Sequence, residues 1–140
     1  MLLAHHHDLF DRGADATGGC LDRSRMLRSS REFAEVKAQG TGFRGRHCLL
    51  VALAKPSEPT RLGFVISKKG VGNAVQRNRA RRRLREILRL RWPRIPETGY
   101  WLVMIAFRTV LEASHQDLAN DVERVLAAAG ALAPIPAARA

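Results

Sequence analysis

The residues best suited to chemistry are twelve lysines and arginines crowded between Arg61 and Arg94, accompanied by a single acid, Glu86. Twelve minus one is +11, the formal net charge of the whole 140-residue chain, so the remainder balances to zero. Charge gathered this way makes a face for a polyanion rather than a merely soluble surface. Within the block, Arg77, Arg81 and Arg85 recur every fourth residue and fall in one row along a helix. Each guanidinium is a planar fork of donors that can grip phosphate oxygens in two places. Such a row suits phosphates spaced along a backbone and says little about base identity. A solvated helix face would interleave Glu and Asp as partners one turn away; here the neighbours repel. The block therefore costs folding stability until a partner neutralises it.

Nothing else in the chain forms a reactive set. His5, His6, His7, His47 and His115 have no nucleophile to activate, and Glu86 and Glu97 are too few for a two-metal carboxylate site. The triple histidine near the terminus, without matching cysteines, is a poor metal site. Cys20 and Cys48 share no C-x-x-C spacing, and Cys48, in an apolar stretch, reads as a buried reduced thiol. No apolar run approaches the roughly 18 residues that span a bilayer. The opening Met1-Leu2-Leu3-Ala4 runs into His5-His6-His7-Asp8, not into the apolar centre of a signal peptide, so the expected compartment is the cytoplasm.

The length and the hydrophobic fraction of 46% fit one domain with one modest core. Residues 1–25 lack periodicity and are expected to be a disordered extension, with the domain over 26–130 and a frayed tail over 131–140. Ser29 and Glu32 have capping-box spacing ahead of Phe33 and Val36, which predicts a first helix of about two turns ending before Gly40. Gly40 to Gly45 reads as a flexible loop and His47 to Ala54 as an apolar strand. Lys55-Pro56-Ser57-Glu58-Pro59-Thr60 reads as a turn, because two prolines interrupt a ladder. Arg61 to Lys69 is expected to be a second strand, broken by Gly70-Val71-Gly72-Asn73. A long helix over about 74–90 buries Ala80, Leu84, Ile87 and Leu88 and turns Asn78, Arg82, Arg85 and Arg89 away from them. Tyr100 to Phe107 is a third, buried strand, and Ser114 caps a last helix that ends near Gly130. The order α-β-β-α-β-α is an α+β sandwich, one sheet with helices against it.

The stretch Arg61-Leu-Gly-Phe-Val-Ile-Ser-Lys-Lys69, a short glycine loop, Ala74-Val75, then Arg77-Asn78-Arg79 and Leu84-Arg85-Glu86 resembles the signature of the bacterial ribonuclease P protein family. The likeness runs from about Leu27 to Ala129 and includes the opening Leu-Arg-x-Ser-x-x-Phe helix. It implies a left-handed βαβ crossover, against the usual right-handed preference. It also implies RNA contacts through Arg61, Lys68, Lys69, Asn73, Arg77, Asn78, Arg79, Arg81, Arg82 and Arg85, with the long helix on a catalytic RNA subunit. A cleft between the first helix and the sheet, bearing Phe33, Lys37, Ser67 and Lys68, would receive the 5′ leader of precursor tRNA. Catalysis would lie in the RNA, with Mg²⁺ held by that RNA and none by the protein, one protein per RNA, and no membrane partner. Lys37 stands where many members carry a second aromatic, and Val51 replaces another, which shifts leader binding from stacking towards charge. The competing reading is a structural RNA-binding protein of ribosome or assembly type. A membrane-surface or calmodulin-target helix ranks below both, because the helix's apolar side is already claimed by the core.

Overall fold

The computed structural model describes Leu21 and residues 23–133. Helix α1 (Ser30–Gln39) leads into strands β1 (Thr41–Arg44), β2 (Cys48–Pro59) and β3 (Arg61–Val65), followed by helix α2 (Ala74–Arg91), strand β4 (Thr98–Ala106) and helix α3 (His115–Ala128). The four strands form one sheet in the order β1-β2-β4-β3. β1, β2 and β4 pair antiparallel, whereas β3 and β4 are parallel and joined through α2. Alternation along the strands divides the apolar residues between two faces. Leu50, Leu62, Phe64, Leu102 and Met104 meet Ala80, Leu84, Ile87 and Leu88 of α2 and Leu118, Val122 and Leu126 of α3 in the larger core. Val51, Trp101 and Val103 on the other face pack beneath Leu27 and Val36, with Phe33 against them. The capping box of α1 is formed, with Ser29 Oγ accepting from the Glu32 N–H and Glu32 reaching back to the Ser29 N–H.

Three expectations are corrected. The segment Gly40–Gly45 is not a loop: Thr41 to Arg44 pair with Ala52 to Leu49 as an edge strand, so the order is α-β-β-β-α-β-α. Lys55 to Pro59 is not a turn but the end of β2, and the chain breaks instead at Thr60. The prolines are tolerated because Pro56 falls where the β2–β4 register shifts, between Lys55 and Pro59, while Pro59, in register with Thr98, lies beyond Ala52, where β1 no longer pairs with β2. β3 ends at Val65 rather than Lys69. There the Gly70 N–H donates to Ser67 Oγ at 2.8 Å and the Val71 N–H to Ser67 O at 2.8 Å, so local turn bonds replace the ladder.

The start of the packed unit also shifts. Leu21 is buried in the larger core, Arg23–Arg25 form a 3-10 turn, and Met26 bridges Leu62 on the free side of β3. Part of the segment expected to be a loose extension is thus structural, whereas residues 1–20 and 134–140, with Cys20 and the triple histidine, lie outside the described residues. Cys48 is buried and unpaired, as expected, and burial beside Asp121 pushes its thiol up to about 12.

Asp121 on α3 holds the β1–β2 turn to the helix layer. It is 1% exposed and accepts from the backbone N–H of Arg46 and of His47, each at 2.8 Å, while Arg124 Nη1 donates to it at 2.8 Å. Burial opposes its ionisation, but these N–H groups and the charges of His47 and Arg124 outweigh that, and its carboxyl sits below the usual range. A depressed carboxyl stabilises the fold above its unfolded pKa, near about 3.9. That contribution is lost as pH falls through the folded value.

Two stability predictions result. Asp121→Asn keeps the size but cannot accept from both N–H groups, so it should cost about 1–3 kcal/mol in urea unfolding at pH 7. It should also flatten the loss of stability below about pH 4; an unchanged acid limb would show that the clamp contributes nothing. Leu21→Ala should cost about 2–5 kcal/mol, as for other core leucines, whereas an unaltered melt would return this segment to the status of a loose extension.

Candidate nucleic-acid interface

The basic surface is built around the start of α2. Asn73 caps the helix: its Oδ1 accepts from the Gln76 N–H at 2.9 Å, and Gln76 Oε1 accepts from the Asn73 N–H at 2.8 Å. Gly72 precedes it at φ +142, where a Cβ would also collide with the Gln76 carboxamide. Lys68 and Lys69 occupy the exposed turn just before, braced by Arg108 Nη1 donating to Val71 O at 2.8 Å. The free N–H groups of a helix start and these two lysines reinforce one another as a field for anions.

Along α2 the arginines divide by flank. On one side Arg79 donates to Leu111 O at 2.9 Å, and Arg83 donates to Val110 O and Ala113 O, each at 2.6 Å. On the other, Arg77 Nε donates to Gly72 O at 3.1 Å and Arg85 Nη2 to Leu21 O at 2.7 Å. Asn78 and Arg82 are exposed between them. The row Arg77–Arg81–Arg85, expected on the open side, is therefore a half-buried flank, two of whose members also hold backbone. Arg81, between those two, has a buried Nε with no hydrogen-bond partner. Burial, then the charges of Arg85 and Arg77, lower its pKa from the ordinary arginine range. It is a cation placed where a cation is disfavoured.

Carboxylates reach the block from other elements, which counting along the chain could not reveal. Glu123 of α3 meets Arg91 at 2.7 Å and Arg94 at 3.6 Å, Glu86 meets Arg89 at 2.8 Å, and Glu32 of α1 meets Arg61 at 3.6 Å. The far half of α2 and Arg61 are thereby neutralised. Lys68, Lys69, Arg77, Arg79, Arg81 and Arg82 meet no carboxylate among the described residues. Arg61 opens β3, opposite Trp101, while Lys68 and Lys69 follow its other end, so the structure does not bring all the expected RNA-binding residues together.

The α1 face of the sheet supplies a second surface. Phe33 lies directly on Gly63, where any Cβ would strike its ring. Beyond Phe33 the helix no longer covers the sheet fully: Leu49, Val65 and Ile105 are half-buried. Their register, Arg44↔Leu49↔Ile105↔Val65, makes one row across all four strands. Lys37 is exposed one turn after Phe33, and Lys68 is exposed just past the end of β3. Ser67 is exposed too, but its hydroxyl accepts within its own turn. Arg44 and Phe107 were missed: the Arg44 guanidinium sits 4.7 Å from the Phe107 ring centroid. Extending the alternation of Val103 and Ile105 by two residues would have placed Phe107 on this face.

Among the described residues no three His, Cys, Asp or Glu side chains are grouped to hold a metal, and no helix is long and apolar enough to cross a membrane. Sequence comparison matches residues 21–130 to the family model described as Ribonuclease P. A ribonuclease P protein component of Symbiobacterium thermophilum is 39% identical over 113 residues, covering 80% of this chain and 96% of that one. One from Salinispora tropica is 49% identical, covering 79% and 94%. Among solved structures, a mutant RNase P protein of Staphylococcus aureus aligns with a TM-score of 0.70 at 23% identity, over 79% of this chain and 92% of that one, and so bears on the fold. The RNase P protein of Thermotoga maritima aligns at 0.63 with 25% identity, over 72% and 94%. With the family model spanning residues 21–130, nearly all of the packed unit, and relatives matched over nearly their full length, the chain belongs to the ribonuclease P protein family.

Proposed function

We propose that this chain serves as the protein subunit of a ribonuclease P ribonucleoprotein, binding its catalytic RNA through the start of α2 and the 5′ leader of precursor tRNA along the α1 face. The observation that carries the first contact is Arg81, half-buried between two like charges with an unused donor. A phosphate there removes the repulsion and satisfies the guanidinium together. Arg77 precedes it in the same row, and the exposed Asn78 and Arg82 beside that row offer further donors. The second contact is supported by the half-covered row beyond Phe33, flanked by Lys37 and Lys68. A single strand fits there because bases lie on apolar surface while lysines follow the backbone.

The chemistry belongs to the RNA in this reading. RNA-held Mg²⁺ would supply the Lewis acidity with which water cleaves the phosphodiester joining leader to mature tRNA; a surface of lysine and arginine is the wrong donor set to hold that ion itself. The protein supplies fixed positive charge near the leader, which lowers the Mg²⁺ concentration needed and raises affinity for leader-bearing substrate. The test is precursor-tRNA cleavage by a bacterial catalytic RNA at low Mg²⁺, with and without the protein. Stimulation confined to leader-bearing substrate is expected. Equal effects on leaderless tRNA would favour a structural RNA-binding protein instead.

The flanking arginines should separate by sign. Arg81→Ala removes a disfavoured cation, so it should leave the melting temperature equal or higher while weakening RNA binding and lowering the log–log salt slope by about 1. Arg83→Ala should instead destabilise the fold, by about 1.5–3 kcal/mol for the lost charged hydrogen bonds. Affinity loss and thermal shift measured on both variants check this; destabilisation by Arg81→Ala would make it a structural residue.

A further inference from the structure

We propose that Arg44 and Phe107 form a stacking platform for one nucleobase of the single-stranded RNA that lies along the α1 face. The inference rests on the leader reading above and adds a position to it. The row Arg44–Leu49–Ile105–Val65 is the last on the α1 face before β4 ends at Ala106. Phe107 lies one step further: its N–H donates to His47 O at 2.9 Å and its backbone stays extended, at φ −97 and ψ 162. Its ring therefore leaves the sheet on the same side as Ile105 and is only half-buried. The Arg44 guanidinium rests 4.7 Å from the ring centroid, and Arg44 is exposed.

The Arg44 guanidinium is held at the Phe107 ring and yet remains exposed, so it offers surface to a further planar group. Nucleobases stack on such planes as readily as on aromatic rings, and the cation adds attraction for the adjoining phosphate. No carboxylate among the described residues competes for Arg44. The neighbouring row is apolar, and the lysines at 68 and 69 follow the parallel strand end on the far side of β4. Phe33, the aromatic that begins the surface, lies over Gly63, whereas the platform lies beyond the row of Val65. A strand held at both ends crosses the apolar row between them. With lysine at position 37, the second aromatic contact falls at this more distant point, so it engages only leaders long enough to arrive there.

The test uses the protein assembled with catalytic RNA and precursor tRNAs whose leaders are shortened one nucleotide at a time. Arg44→Lys keeps the charge and removes the plane; Phe107→Leu keeps apolar bulk and removes the ring. Each should weaken binding of long-leader substrate at least about fivefold, the low end of what a stacked base contributes. Neither should affect the shortest leaders. A fluorescent base analogue scanned along the leader should be quenched at one position in the parent protein and not in either variant. Parental affinity at every leader length, with unchanged quenching, would overturn the platform while leaving the leader surface intact. If the parent itself fails to distinguish leader-bearing from leaderless tRNA, both readings fall. Because Arg44 is exposed, its variant reports even if Phe107→Leu loosens the fold.

Discussion

Everything in this molecule is arranged around mutual repulsion along α2, where eight of eighteen residues are arginine. Such a helix is unstable in isolation, and its apolar stripe of Ala80, Leu84, Ile87 and Leu88 must hold it against the sheet. The surrounding chain then relieves the charge one guanidinium at a time. Backbone carbonyls of the turn after β4 take Arg79 and Arg83, the N-terminal segment takes Arg85, and Glu123 takes Arg91 and Arg94. Relief is complete at the far end of the helix and partial at its start. The binding surface is the part of the problem that folding leaves unsolved.

That division explains how one element can serve both stability and recognition. An arginine that donates to a carbonyl is oriented but keeps its charge, so Arg77 and Arg85 brace the fold while contributing field to Arg81 between them. The Asp121 clamp performs a related task across the sheet. By fixing the backbone of Arg46 and His47, it sets the β1–β2 turn and thus the strand that carries Arg44.

Local signals were the most legible in the sequence. The capping box at Ser29, the Ser114 cap and the periodic stripe of α2 depend on residues within a few positions of one another, and helix ends follow from them. Strand ends were less legible because tertiary context decides them. Pro56 and Pro59 are disqualifying in a strand paired on both sides but tolerated where the register shifts and one neighbouring strand has stopped, and nothing near them in sequence says so. Ser67 to Lys69 looked like strand because its residues follow an apolar run, yet the serine hydroxyl prefers its own turn. The candidate surface divided similarly: the arginine row was evident from spacing, whereas Glu32 and Glu123 neutralise members of the block from elements far away in sequence. Arg44 and Phe107, 63 positions apart, are joined only by the register of three strands.

The bridge between Met26 and Leu62, with the Leu27 N–H donating to Leu62 O at 2.9 Å, bears on the protein before it meets RNA. Any open sheet offers its outermost strands as templates for another chain, and a folded monomer must blunt them. At one border β1 is only four residues long and includes a glycine and an arginine. At the other, the stretch leading into α1 lies along β3 and takes up a hydrogen-bonding position that would otherwise face solvent. The free subunit, still carrying its uncompensated charge, is thereby protected from strand addition on both borders. The segment ahead of the first helix acts as a selvedge for the sheet, and damage to it would be felt as self-association as well as lost stability.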